Sequence, residues 1–85
     1  MRVRVRLFME YRQKLGWAEK EVELPEGATI ADLLKTIGLL EALEELKRGR
    51  GIILRNGRNV LTSKGSEEPL SDGDTVVIFP PAGGG

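Results

Sequence analysis

The sequence contains no cysteine and no histidine. Without cysteine there is no disulfide, no thiolate metal site and no cysteine nucleophile. Without histidine the commonest general base and metal ligand is missing too. A self-contained hydrolase or metalloenzyme is hard to assemble from what remains, and no bound metal or cofactor is expected. Net charge is also absent: 13 lysines and arginines balance 13 aspartates and glutamates, which argues against nucleic acid as an obligatory partner. No apolar run approaches the length of a membrane span, and Met1-Arg2-Val3-Arg4 lacks the apolar core of a signal peptide. The expectation is a cytoplasmic protein with no membrane partner.

What is present is concentrated at the end of the chain. An apolar strand, Thr75-Val76-Val77-Ile78-Phe79, runs into Pro80-Pro81 and then Ala82-Gly83-Gly84-Gly85. The prolines carry no N–H and fix φ, so they stop a sheet ladder and stiffen the exit. Glycine has no Cβ, so a narrow tunnel in a partner can close around bare backbone, and a terminal glycine leaves its carboxylate open to attack. One reading is a carboxylate on a flexible arm, delivered to another protein's active site. The other is a frayed end, because glycine-rich termini are commonly linkers.

At 85 residues the chain is one small domain with a single core. Arg2 to Met9 alternates as a half-buried strand, with Val3, Val5, Leu7 and Met9 on one side and Arg2, Arg4, Arg6 and Phe8 on the other. Glu10 to Gly16 is short and helix-tolerant. Ala18 to Leu24 is a second strand whose Glu21 and Glu23 suit the arginine row, and Pro25-Glu26-Gly27 is a turn. Thr29 and Asp32 form an approximate capping box. Behind it Ile30, Leu33, Leu34 and Ile37 make an apolar helical stripe, which Leu39, Leu40, Leu43 and Leu46 continue beyond Gly38. Asn56-Gly57 predicts a two-residue hairpin that sets Ile53 opposite Val60 and Ile52 opposite Leu61. A polar loop, Thr62 to Glu68, and a turn, Pro69 to Asp74, lead into the last strand. Strand pairs on either side of a helix predict an α+β fold, a mixed sheet with one main helix packed across it.

The combination of Leu70-Ser71-Asp72-Gly73-Asp74, Val76 to Pro81 and a terminal Gly84-Gly85 resembles the ubiquitin-like β-grasp sulfur-carrier family. Within it, the Phe-Pro-Pro step and the length are most similar to small subunits of molybdopterin synthase. Gly83 departs from the pattern, which has a small non-glycine residue there; this should loosen the tail. The resemblance implies that the first and last strands are parallel neighbours. It divides the chain into a β-grasp domain, residues 1–81, and a flexible glycine tail, residues 82–85. With that pairing, Phe79 shares the outer face with Phe8, bordered by Val60 or Leu61, as an apolar patch suited to a protein interface. Phe8, Leu61, Phe79, Pro80, Pro81, Ala82 and Gly83 are thus the expected partner contacts.

The resemblance also implies a chemistry. Gly85 becomes the thiocarboxylate carrier and Gly84 the spacer in the partner's tunnel. An E1-like adenylating enzyme uses ATP to activate the terminal carboxylate, a persulfide donor supplies sulfur, and the large subunit of molybdopterin synthase receives the loaded tail. ATP chemistry has to come from the partner, because Gly49-Arg50-Gly51 lacks the pattern of a phosphate-binding loop and precedes a strand. Three other readings remain open. One is a carrier for thiazole or tRNA thiolation, or a protein modifier joined through Gly85. Another is a ubiquitin-like interaction module whose tail is inert. The third, an autonomous enzyme using Asp72 and Asp74, places its acids in a turn that needs them for geometry.

Overall fold

The computed structural model describes residues 1–82; of the expected flexible tail, residues 82–85, Gly83, Gly84 and Gly85 lie outside the described residues. Alternation makes the first element. In β1 (Arg2–Leu7) every second residue is buried, and the three arginines face three glutamates of β2 (Glu19–Glu23) in antiparallel register: Arg2 opposite Glu23, Arg4 opposite Glu21, Arg6 opposite Glu19. The resulting ladder includes Arg2–Glu23 at 2.8 Å and Arg4–Glu19 at 2.9 Å. All its members are well exposed, so it fixes register more than it adds stability.

β1 ends at Leu7, two residues earlier than the alternation suggests. Phe8 caps a short helix, α1 (Met9–Leu15), which stops at Gly16 in the left-handed conformation. Met9 is not a buried strand residue: its φ of 55° turns the chain out of the sheet, and its side chain is 62% exposed. Its apolar character continued the period of two, but a turn conformation took precedence at that position.

α2 (Ile30–Thr36) begins with the predicted capping box, both halves made: the Asp32 N–H donates to Thr29 Oγ1 at 3.3 Å, and the Thr29 N–H donates to Asp32 Oδ2 at 2.9 Å. Gly38, with φ 78°, separates it from α3 (Leu40–Lys47). The described residues therefore hold three α-helices, where one main helix was expected. The apolar stripe is continuous, but the helix is not.

β3 (Ile52–Arg55) and β4 (Arg58–Asn59) flank Asn56 and Gly57, whose φ values of 50° and 85° are those of the primed turn that hairpins favour. The ladder then stops after two pairs, Leu54 with Asn59 and Arg55 with Arg58. Val60 and Leu61 do not pair with Ile53 and Ile52. Asn59 instead accepts the Leu61 N–H on its side-chain oxygen at 3.0 Å, and Val60–Thr62 winds into a 3-10 turn. A local side-chain acceptor competes here with the ladder.

β5 (Thr75–Phe79) enters the middle of the sheet, whose order is β2-β1-β5-β3-β4. It runs parallel to β1 and antiparallel to β3. Val3, Val5, Leu7, Ile53, Val76 and Ile78 form the inner face, and Leu33, Leu34, Leu39, Leu43 and Leu46 of the helical layer complete the core. This is the mixed β-grasp sheet with its first and last strands as parallel neighbours.

One polar cluster ties the hairpin to the last turn. Arg55 Nε donates to Asp74 at 2.7 Å and its Nη1 to Glu68 at 3.0 Å; Ser63 also donates to Glu68 and Asn56 to Asp74, each at 2.8 Å. Glu68 is held below the usual carboxylate range chiefly by the Ser63 hydrogen bond, with Arg55 and the Lys64 N–H adding to it against burial. For Asp74 burial is the largest influence and pushes upward. The hydrogen bonds from Arg55, Asn56 and the Ser71 N–H outweigh it, and the net shift is down. Carboxyls depressed in the folded state stabilise it above their unfolded pKa, and that contribution is lost as pH falls. Thermal stability should therefore hold at neutral pH and decline below the ordinary values of 4.5 and 3.8. Arg55→Met should cost about 2 kcal/mol at neutral pH. It should also shrink the acid decline, because losing the Arg55 hydrogen bonds brings both folded-state carboxyls back toward their unfolded values, with Ser63, the Lys64 N–H, Asn56 and the Ser71 N–H left to oppose burial. Calorimetric scans from pH 3 to pH 7 check both, and an acid decline of undiminished size in the variant would refute the assignment.

Candidate docking face and tail root

The sheet's outer face is where the predicted aromatic residues meet. The parallel register pairs Leu7 with Ile78, so one step further the chain brings Phe8 alongside Phe79. Their rings stack with centroids 4.5 Å apart and planes 16° from parallel. The Arg6 guanidinium lies over the Phe8 ring, 5.6 Å from its centroid. Both phenylalanines remain half-buried, although an isolated domain gains more by covering such rings fully. Across β5 the antiparallel register sets Ile52 opposite Phe79 and Leu54 opposite Val77. Ile52 is 46% exposed. One half of the outer face is thus apolar, and the half on β1 and β2 is an ion-pair ladder.

Of the two residues expected at its border, Val60 belongs to the core and Leu61 is exposed. Val60 is excluded from the face because the 3-10 turn carries it inward. Leu61 sits beyond β4, whose course runs back toward the end of the sheet that holds Ile52 and Phe79. Ile52 is the exposed apolar residue beside Phe79 that sequence reasoning did not place on this face. Its signal was available in the register that β5 imposes on β3, which the hairpin alone does not reveal.

Beyond Phe79 the ladder ends at Pro80. Pro80 is buried, Pro81 half-buried and Ala82 exposed, so the chain leaves the domain within three residues. On the helix side of this exit lies a cleft of about 640 Å³ lined by Glu10, Tyr11, Lys14, Glu41, Glu45, Arg50, Pro80, Pro81 and Ala82. Lys14 pairs with Glu41 at 2.7 Å and Arg50 with Glu45 at 3.0 Å. Burial, then the nearby Glu41, Glu45 and Glu10 charges, push the Tyr11 phenol up to about 12, so it stays a neutral hydroxyl at physiological pH. The exit therefore has an aromatic flank on the sheet side and a charged flank on the helix side. The predicted contacts Gly83, Gly84 and Gly85 lie outside the described residues.

Asp72 and Asp74 serve the turn. Asp72 accepts the Arg2 N–H at 2.7 Å, and Asp74 accepts the Ser71 N–H at 2.8 Å as well as Arg55. Both carboxylates are thereby occupied structurally. Among the described residues no group of histidine, cysteine, aspartate or glutamate side chains is placed to hold a metal ion, and no helix is long and apolar enough to cross a membrane.

Known proteins resemble this chain in sequence and fold. The ThiS family model matches residues 5–85. The small archaeal modifier protein 3 of Haloferax volcanii is 33% identical, with both chains covered in full. Among solved structures, a Pyrococcus furiosus protein provisionally described as molybdopterin converting factor subunit 1 is 37% identical, with TM-score 0.73 over 95% of this chain and 98% of its own. The complex of subunits 1 and 2 of the molybdopterin-converting factor from Helicobacter pylori contains a chain 25% identical, with TM-score 0.60 and both chains covered in full.

Proposed function

The chain belongs to the ThiS family of ubiquitin-like sulfur carriers, and from that premise we propose that it is the sulfur-donating small subunit of a cytoplasmic molybdopterin synthase-type complex. The observation that carries the reading is the stacked Phe8–Phe79 pair at the point where the chain leaves the sheet. A half-exposed aromatic anchor beside a proline-stiffened exit is what a partner needs to seize the domain and take in its tail. The Pyrococcus and Helicobacter proteins support molybdopterin as the destination. The family match runs through residue 85, which supports Gly85 as the reacting residue, with Gly84 as the spacer behind it.

The chemistry balances as follows. The Gly85 carboxylate attacks the α-phosphorus of ATP in an E1-like adenylating partner, and pyrophosphate leaves. The outer sulfur of a persulfide donor attacks the carbonyl carbon, and AMP leaves. A thiol then cleaves the sulfur–sulfur bond, departing with the donor sulfur as a disulfide and leaving a thiocarboxylate on Gly85. In the large subunit that soft anionic sulfur attacks an activated carbon of a pterin precursor, and water releases the carboxylate. Two such transfers give the dithiolene. This chain's own residues supply docking and delivery; the phosphate-binding groups and catalytic bases belong to the partners.

Intact mass tests this directly. After incubation with ATP, the adenylating enzyme and a persulfide donor, the protein should gain the mass of one oxygen-to-sulfur exchange, and should lose it when a large subunit and pterin precursor are added. An unmodified mass, with a control carrier converted alongside, would refute the reading. A second reading is favoured by the full-length likeness to a small archaeal modifier protein: activation of the same terminus followed by attachment to lysines. It predicts higher-mass conjugates in place of transfer to the pterin.

A further inference from the structure

The fold makes no use of the Tyr11 hydroxyl. The residue is only 5% exposed, and its ring packs into the core. Its hydroxyl nevertheless makes no hydrogen bond to any described residue. Among the described residues no fully buried polar side-chain atom lacks a partner, so this oxygen is open to solvent. It opens onto the charged cleft, which Tyr11 lines together with Glu10, Pro80 and Pro81. The groups around it are acceptors with capacity to spare. Lys14 holds Oε1 of Glu41, and Arg48 and Arg50 share Oε1 of Glu45. The second oxygen of each has no ion-pair partner among the described residues, and Glu10 has none on either oxygen. Pro80 and Pro81 contribute carbonyls and no N–H. After burial, the charges of Glu41, Glu45 and Glu10 hold the phenol proton in place. The field at the hydroxyl is therefore negative, even with Lys14 and Arg50 in the lining.

We propose that this cleft is a second docking site, in which Tyr11, Glu10 and the free oxygens of Glu41 and Glu45 receive an arginine side chain of the enzyme that activates the tail. The identity of the partner rests on the carrier reading; the chemistry of the site does not. A guanidinium presents five donors in one plane and no acceptor. That is the complement of a lining with spare acceptors on several sides. An anionic group would meet like charge there, and an apolar one would leave the carboxylates desolvated and unpaired. The cleft, about 640 Å³, is the size of a small-ligand site, with room for one such side chain and the backbone that carries it. Its position gives the contact a purpose. Pro80 and Pro81 form one wall, so a cation seated there lies against the root of the tail, on the helix side of the exit. Phe8 and Phe79 lie on the sheet side. The partner then grips the domain on both flanks of the point where the chain departs, through one apolar contact and one charged one.

Two measurements test the site and its partner separately. In the isolated, isotope-labelled protein, N-acetyl-arginine amide should shift the NMR signals of Tyr11, Glu10 and Glu45 saturably. The neutral isostere N-acetyl-citrulline amide should not. Glu10→Gln should weaken that binding about fivefold and Tyr11→Phe about threefold. The unfolding midpoint of Tyr11→Phe should stay unchanged, because the hydroxyl holds nothing inside the domain. In sulfur loading by the adenylating enzyme, read by intact mass over a range of carrier concentrations, both substitutions should raise KM by similar factors at constant kcat. Added salt should raise KM for the unsubstituted protein more steeply than for Glu10→Gln. Shifts equal for the arginine and citrulline probes, or spread over the Arg2–Glu23 ladder without saturating, would overturn the site. Saturable shifts with KM unmoved in both variants would overturn its assignment to the adenylating enzyme. Failure of the unsubstituted protein to load would overturn the carrier reading and that partner with it, while the arginine shifts would still decide the cleft.

Discussion

Deleting Gly84 and Gly85 is expected to abolish sulfur loading completely while leaving the thermal unfolding midpoint unchanged. Every core residue among the described residues lies between Val3 and Ile78, and the last strand ends at Phe79, so truncation leaves that core and the strand pairing in place. The chemistry, in contrast, loses its reach. Two residues of extended chain span about 7 Å, and a displacement far smaller than that removes a reacting atom from its productive position. The truncated protein would still present Phe8, Phe79 and Ile52. It should therefore compete with the intact chain for the adenylating partner and inhibit loading in proportion to its concentration. An interaction module with an inert tail makes the opposite forecast: full function after truncation. Intact mass for loading, with a competition series beside it, decides between them.

Much of the frame was legible because local chemistry and long-range pairing agreed. The arginine–glutamate alternation of β1 and β2 specifies a register as well as two strands. Thr29 with Asp32 marks a helix start, and Asn56-Gly57 marks a turn whose dihedral angles few other pairs adopt. The Phe8–Phe79 contact followed from parity once the first and last strands were taken as parallel neighbours. What escaped were places where a residue's type suited two structures. Met9 and Val60 are apolar and fell on strand positions, yet one turns the chain at positive φ and the other enters the core from a 3-10 turn. The choice was made by Asn59, whose side chain reached a backbone N–H before the ladder could. The Arg55, Glu68 and Asp74 cluster was invisible for another reason. Its partners are 13 and 19 residues apart, and no local pattern reports such a contact.

Phe79→Ala should weaken binding to the adenylating partner and to the large subunit alike, by about 2 kcal/mol or roughly 30-fold each. The shared loss matters because, on the carrier reading, both partners take the same tail, and the apolar face beside its exit is a surface they can hold in common. Some cost will fall on the free domain: the stacked pair contributes about 1 kcal/mol beyond its burial, and Phe79 sits in register with Ile52. A double-mutant cycle with Phe8→Ala separates the terms. In unfolding, the two substitutions should couple, because each removes the same stack. In binding, coupling with residues of the partner should survive correction for stability, and Ile52→Ala should show a smaller loss of the same kind. Arg2→Ala and Arg4→Ala, on the ladder half of the same sheet face, should bind nearly normally, since exposed ion pairs hold little energy. If instead the arginine variants weaken binding and Phe79→Ala does not, the docking face is the ladder, and the aromatic pair only completes the fold.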